Sequence, residues 1–455
     1  MLSFDFHLEA RQPAPLCQSE GDSGFPTPAE PLRRGRLEQR YESLRSRGGN
    51  CVQPNFKSLS AIHVLPNTDR STWEWRVYTF IPRRCVMRML AFALPVIFGL
   101  GLLPAPMHSQ QKGGEEETGP YDVAAKWPAP FARSGYVQGS QGGVFAETPN
   151  RIFLANRGEL KLPDKLPNNF NGAWGSLGQA ATGGKPELRN CIIVVDANGK
   201  VVESWTQHDH LFVGGRGPHK IKISPYDPQR HVWVVDDVRQ QIFEFTNDGK
   251  QLVMTLGEAG VAGNDDKHFG RPTDIAWLPD GTFFISDGYV NTRVVKFDKN
   301  GKYLMSWGTK GRGPGQFDLP HSIDIDRNRR VYVADRSNSR IQVFDENGKF
   351  LDQWPNIRQP YHIMITADQY LWVADGVSNK FLKYDLNGKL LYSWGTYGTF
   401  PGAFWGVHQF TVDSAGNLYA AETFGGRTQK FRPKPGADRS KLIGAPAPLM
   451  PKTTD

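Results

Sequence analysis

Cysteine is scarce: Cys17, Cys51, Cys85 and Cys191 are all that 455 residues contain. That count excludes a disulfide-stapled scaffold. Charge of one sign is also missing in bulk. The formal net charge of +8 is spread over 54 basic and 46 acidic residues with no long basic run. This argues against a nucleic-acid groove and for an ordinary solvated surface. No apolar run reaches the roughly 20 residues of a membrane-spanning helix. The longest, Met89–Leu103, has fifteen. What is plentiful is glycine (48), proline (33) and aromatic side chains (12%), the composition of a turn-rich globular protein.

The apolar run has a meaning of its own. Arg83, Arg84 and Arg88 precede it, Ala105 and Ser109 follow, and the polar stretch SQQKGGEEETG comes next. A basic start, a short apolar core and a small-residue exit describe a secretory signal peptide. Met87 or Met89 would be its start. Residues 1–86 show no sustained period of 2 or 3.6 and read as an unstructured upstream extension outside the native product. The expected organisation is therefore extension 1–86, signal peptide 87–109, linker 110–136, folded domain 137–432 and a flexible tail 433–455. The product is expected to be secreted or periplasmic and monomeric, with a mature start between about residues 104 and 112. Only Cys191 would remain, and in CIIVV it reads as a small buried apolar residue.

From about residue 137 the chain repeats itself. The segments IFLANRGEL, VWVVDDVRQQIFEF, FFISDGYVNTRVVKF, VYVADRSNSRIQVF, LWVADGVSNKFLKY and LYAAETFGGRTQKF each combine an apolar strand, a polar anchor and a short turn. The anchors are Asn156, Asp236, Asp287, Asp335, Asp375 and Glu422; most steps are 40 to 51 residues, and the first is 80 because 161–190 is inserted. Asn198-Gly199, Asp248-Gly249, Asn300-Gly301, Asn347-Gly348 and Asn387-Gly388 mark outer hairpins, for which a type I′ turn is expected. Several strands per 40 to 50 residues describe a propeller, not a helical solenoid. Six anchors predict an all-β, six-bladed β-propeller, closed by pairing a first strand near 137–147 with the last blade. Trp205, Trp307, Trp354 and Trp394, which recur after the turns, read as packing between blades.

Counting back 14 residues from each anchor reaches the innermost strand. Asp335 gives His321, Glu422 gives His408, Asp287 gives Thr273, Asp375 gives Tyr361 and Asn156 gives Gly142; in blade two, with a hairpin three residues longer, the equivalent is His219. Blades two, four and six thus carry histidine. On a six-fold ring alternate blades stand about 120° apart. Three imidazoles converging on one axis with a fourth position open describe a catalytic zinc site. Three unrelated channel-lining histidines are the alternative. His362 lies one residue off this register, so strand alternation should turn it to the opposite face, in a structural role.

With PHSIDID, VADRSNSRIQVF and above all HFGRPTDIAWLPDGTFFISDGYVNTRVVKF, the segment 137–432 resembles peptidyl-α-hydroxyglycine α-amidating lyase, the lyase half of peptide-amidating enzymes, built on NHL-type repeats. The resemblance implies a six-bladed propeller with axial zinc on His219, His321 and His408. It implies catalytic roles for Tyr289 in SDGY, Arg157 in ANRG and Arg336 in ADRS. The implied reaction splits a carbinolamide into an amide and glyoxylate without redox chemistry, with Tyr289 taking the hydroxyl proton. A tyrosine is a poor base at neutral pH, and neighbouring cations favour the phenolate. Paired arginines would hold a carboxylate.

The chain departs from the family pattern in places. Gly406 stands where the family has a methionine lining the site. Gln409 replaces an aspartate of the family's structural calcium site, which argues against Ca²⁺ here. Val290 stands where animal members have a cysteine. The expected partner is a small-molecule or peptide substrate. A non-enzymatic propeller binding peptide, protein or glycan is the competing reading. A calcium-dependent lactonase ranks last, because its axis would carry Glu, Asn and Asp where histidines stand here.

Overall fold

The computed structural model describes residues 115–165 and 185–453. The upstream extension, the signal-like segment and most of the 161–190 insertion lie outside the described residues. Six four-stranded antiparallel sheets form the propeller, four of them made of consecutive strands such as Pro320–Ile325, Val331–Asp335, Arg340–Phe344 and Phe350–Trp354 of blade four. Inner strands are buried on both faces, as in PTDIAW and PYHIMI, because each is packed from both sides. Outer strands are largely exposed, as in LVMTL and FLDQW.

The hydrophobic core is divided into six, one cluster in each cleft between neighbouring blades. Trp205, Trp307 and Trp354 each lie against the turn glycine of the following blade, Gly249, Gly348 and Gly388, where an added Cβ would fall within 2.7 Å of the indole. Glycine is needed there twice over, since all three sit at φ between +68° and +82°. The turns are not type I′. Only the glycine takes positive φ, and the preceding Asn or Asp does not. Asp298, Asp345 and Asp385 each accept the amides two and four residues on, which stabilises a type I turn ending in a bulged glycine.

Closure also differs from expectation. Gln141–Thr148 is the innermost strand of blade one, and the ring is closed by Tyr121–Val123, which pairs with Arg427–Pro433 as the outer strand of blade six. The propeller thus takes in part of the expected linker. The C-terminal segment is a strap. Ile443 is buried, Ala367 N–H donates to Ala445 O, and Met450 N–H donates to Pro225 O, so 443–450 runs from blade five to blade two. Ala445–Leu449 covers a channel cavity of about 330 Å³ lined by inner strands of all six blades. No helix among the described residues is long and apolar enough to cross a membrane.

Candidate metal centre

His219, His321 and His408 meet on the axis. Their ligand atoms lie within 4.8 Å of one another, and the three residues are 0 to 3% exposed. The intervening blades hold them in place. His219 Nδ1 is 2.7 Å from Thr273 O, His321 Nδ1 is 2.6 Å from Tyr361 O, and His408 Nδ1 is 2.7 Å from Gly142 O. A carbonyl can only accept, so each Nδ1 carries the proton and each Nε2 presents a lone pair to the axis. The residues at the same register in the odd blades therefore supply backbone where the even blades supply side chains. Burial, and then neighbouring cationic groups and imidazoles, hold all three histidines well below the usual histidine range, so they are neutral at pH 7. Three neutral imidazoles with oriented Nε2 atoms fit a zinc ion.

Tyr289 stands beside them, its hydroxyl 3.2 Å from His219 Nε2 and 3.0 Å from His321 Nε2. Guanidinium groups surround its ring. Arg271 Cζ is 4.4 Å from the ring centroid, and those of Arg216 and Arg336 are each 5.4 Å away. Arg157 is buried, bonded through Nε to Pro218 O at 3.2 Å. Burial, with Arg216 nearby, pushes it down to about 10, so it stays charged at neutral pH. Among the described residues Arg157 Nη2 and Arg336 Nε are buried without a hydrogen-bond partner. Buried donors left unpaired are costly, and an anionic ligand would satisfy them.

Arg216, Arg271 and Asp237 have no counterpart in the sequence reading. The Asp237 carboxylate, fully buried, bonds Arg216 (3.1 and 2.9 Å) and Arg271, fixing both guanidiniums beside Tyr289. They lie in loops outside the repeat register. The available signals were the GRGPHK run leading into His219 and the doubled acid of VVDD.

One residue further along the strands the axis closes on itself. In five blades the pairing register slips at the inner-strand position, as between Pro320 and Ser322 or Pro360 and His362. This bulge lets two successive side chains face the channel. His362 is therefore not on the opposite face; it lies among channel residues, 3.1 Å from Lys220 Nζ and 3.0 Å from Ser322 Oγ. Lys220 also donates to His408 O. Lys222 donates to Asp274 (2.8 Å) and Ile275 O (3.0 Å). Gln409 bonds both the N–H and C=O of Ile221, at 3.2 and 2.7 Å. A calcium ion here would meet the Lys222 ammonium, the Lys220 amine, pushed down to about 7 by burial, and an amide already satisfied, so the residues do not fit it. The other His/Asp/Glu grouping among the described residues, Asp227, His231 and Glu244, pairs within itself on blade two.

Comparisons with known proteins agree with the architecture. A family profile described as a 6-bladed beta-propeller matches residues 262–351. The chain is 32% identical over 240 residues to peptidyl-glycine alpha-amidating monooxygenase B of Xenopus laevis, covering 50% of this chain and 25% of that one. It is 36% identical over 124 residues to a probable peptidyl-alpha-hydroxyglycine alpha-amidating lyase of Caenorhabditis elegans, covering 27% of this chain and 35% of that one. It is 33% identical over 155 residues to NHL repeat-containing protein 3 of Mus musculus, covering 32% and 43%. The chain thus spans about a quarter of the first of these relatives. The propeller is similar in sequence to amidating lyases and to NHL-repeat proteins alike.

Proposed function

We propose that this propeller is an exported zinc-dependent carbon–nitrogen lyase that splits a carbinolamide into an amide and glyoxylate or a related aldehyde. The observation that carries the reading is the meeting of three oriented Nε2 atoms with the Tyr289 hydroxyl and two buried, unpaired arginine donors. The names of the amidating-lyase relatives support it.

His219, His321 and His408 would hold the metal, which when bound polarises the substrate's hydroxyl oxygen. Arg157 and Arg336 take the substrate carboxylate and orient the carbinol carbon. Acting as the phenolate, Tyr289 Oη, within hydrogen-bond reach of the His219 and His321 Nε2 atoms, accepts the hydroxyl proton. As the C=O bond forms the C–N bond breaks, and the proton passes to the departing amide nitrogen. Atoms balance and nothing is oxidised or reduced. Elemental analysis of the purified chain, with glyoxylate release from an α-hydroxyglycine peptide and from α-hydroxyhippurate, tests the reading. One equivalent of zinc and glyoxylate from either compound is expected. A zinc-loaded protein inactive on both would remove the substrate class, and a metal-free active protein would remove the zinc.

A further inference from the structure

The mouth of the site has two unlike walls. Blades one to four present Arg157, Arg216, Arg271 and Arg336. Blades five and six present rings. The Tyr361 ring centroid lies 5.5 Å from that of His321, Phe424 lies 6.4 Å from Tyr361, Trp405 lies 6.3 Å from Phe424, and Tyr397 lies 6.0 Å from Trp405. Four aromatic side chains therefore run without a break from the histidine triad to the surface, where Tyr397 is 59% exposed.

This wall is built in. Gly406 has φ +70°, and an added Cβ would lie 2.4 Å from Phe424 Cδ2. Glycine at 406 is what lets the Phe424 ring lie where it does. The two loops that carry the rings are tied together by Thr423 N–H to Gly406 O and Gly425 N–H to Trp405 O, both 3.0 Å. Trp405 N–H donates to the buried Glu422 (2.8 Å), and Gly406 N–H donates to Asn379 Oδ1 (2.9 Å). Rings held in this way offer apolar area at little further cost in ordering.

A carbinolamide has two arms on its reacting carbon, the carboxylate and the acylated nitrogen. The arginine wall favours the first, which leaves the second directed at the rings. We infer that the Phe424–Trp405–Tyr397 wall is a specificity subsite for a large apolar or aromatic group on the acyl side of the substrate. The inference rests on the lyase reading for the orientation of the substrate. It requires only binding for its test.

The probes are N-benzoylglycine and N-acetylglycine, unreactive acids that share the carboxylate and differ in the acyl group. Their affinities for the zinc-loaded full chain are measured by calorimetry. N-Benzoylglycine should bind about 10- to 100-fold more tightly, the range over which an apolar pocket discriminates. In Trp405→Ala and Phe424→Ala the ratio should fall to within about threefold of unity. Tyr397→Ser, at the exposed end, should lower the affinity of a benzoyl-Phe analogue extended by one residue, and this variant keeps the test open if the inner variants fail to fold. Equal affinities in the wild type, no binding of N-benzoylglycine, a preference surviving in both Trp405→Ala and Phe424→Ala, or an unchanged affinity of the extended analogue in Tyr397→Ser would each overturn the subsite. Glyoxylate release by the same wild-type preparation reports on the lyase reading separately, so the two can fail independently.

Discussion

Two layers of the propeller axis adjoin along the inner strands and are chemically opposite. In the upper layer, His219, His321 and His408 tie one ring nitrogen to backbone and leave the other aimed at the axis. In the layer below, Lys220, Lys222, Asp274, Ser322, His362 and Gln409 spend their polar atoms on one another or on backbone. Both layers are buried and rich in groups that could bind a cation. The difference is that the upper Nε2 atoms are oriented and meet only the Tyr289 hydroxyl, whereas the lower groups already contain their own cations. Burying a charge without a partner costs several kcal/mol. The lower layer meets that cost internally, and the upper layer leaves room for an ion.

The sharpest break in this comparison is to remove one upper ligand. His219→Ala, His321→Ala and His408→Ala should each lose most of the metal by elemental analysis, and turnover should fall to background. Full metal content in any of them would show that the triad is not the ligand set. Next in size is Tyr289→Phe, which deletes one hydroxyl and leaves the three imidazoles untouched. Turnover should drop by about 10²–10⁴-fold, the usual worth of a positioned acid or base, with zinc unchanged. Equal activity would take the proton transfer away from Tyr289.

The lower layer should respond in stability instead. Lys222→Met removes the ammonium partner of the fully buried Asp274 carboxylate and leaves it the Ser322 hydroxyl, the His362 imidazole and the Ile275 and Ile323 amides. Breaking such a pair costs about 3–5 kcal/mol, read from denaturant unfolding. Burial opposes ionisation of Asp274, but Lys222 and its other partners hold its carboxyl below the usual carboxylate range. The sign follows: that stabilisation is present above the unfolded carboxylate pKa of about 4 and is lost as pH falls below it. Lys222→Met should flatten this acid limb. Added calcium should leave the melting temperature of the wild type unchanged, and a rise would contradict the assignment of lysines as the resident cations.

The contrast between the layers also explains what could be read in advance. Side chains at a constant distance from five of the six anchors repeat, and blade two differs only by its longer hairpin, so the blade count and the histidine triad were legible in the sequence. The carbonyl partners were not, because Thr273, Tyr361 and Gly142 act through backbone that every residue carries. His362 was turned to the wrong face because period-2 alternation holds only in a regular strand, and a bulge sits at that position in its blade. Arg216, Arg271 and Asp237 come from loops, where no period applies. Tyr121–Val123 is too short to show a pattern, and its pairing with Arg427–Pro433 depends on ring closure.

The smallest effect belongs to His362, which tests whether the lower layer is separable from the upper. His362→Ala should retain full zinc, since no upper ligand bonds to its side chain. Ser322 keeps Asp274, and Lys220 keeps His408 O. The loss is one set of hydrogen bonds and a small cavity, about 1–3 kcal/mol at pH 7.5. Acidification should then close the gap. Burial, followed by Lys220, pushes the His362 imidazole down to about 3, while an unfolded histidine titrates near 6.5. Between those values only the unfolded chain takes up the proton, so the wild type loses stability as pH falls. From pH 7.5 to 5 this histidine alone accounts for about 2 kcal/mol, which the alanine variant does not lose. The two proteins should therefore converge in stability near pH 5, measured by urea unfolding at each pH. Parallel curves would mean that His362 takes up its proton as readily in the folded protein as in the unfolded chain, and the lower layer would then gain a cation as pH falls.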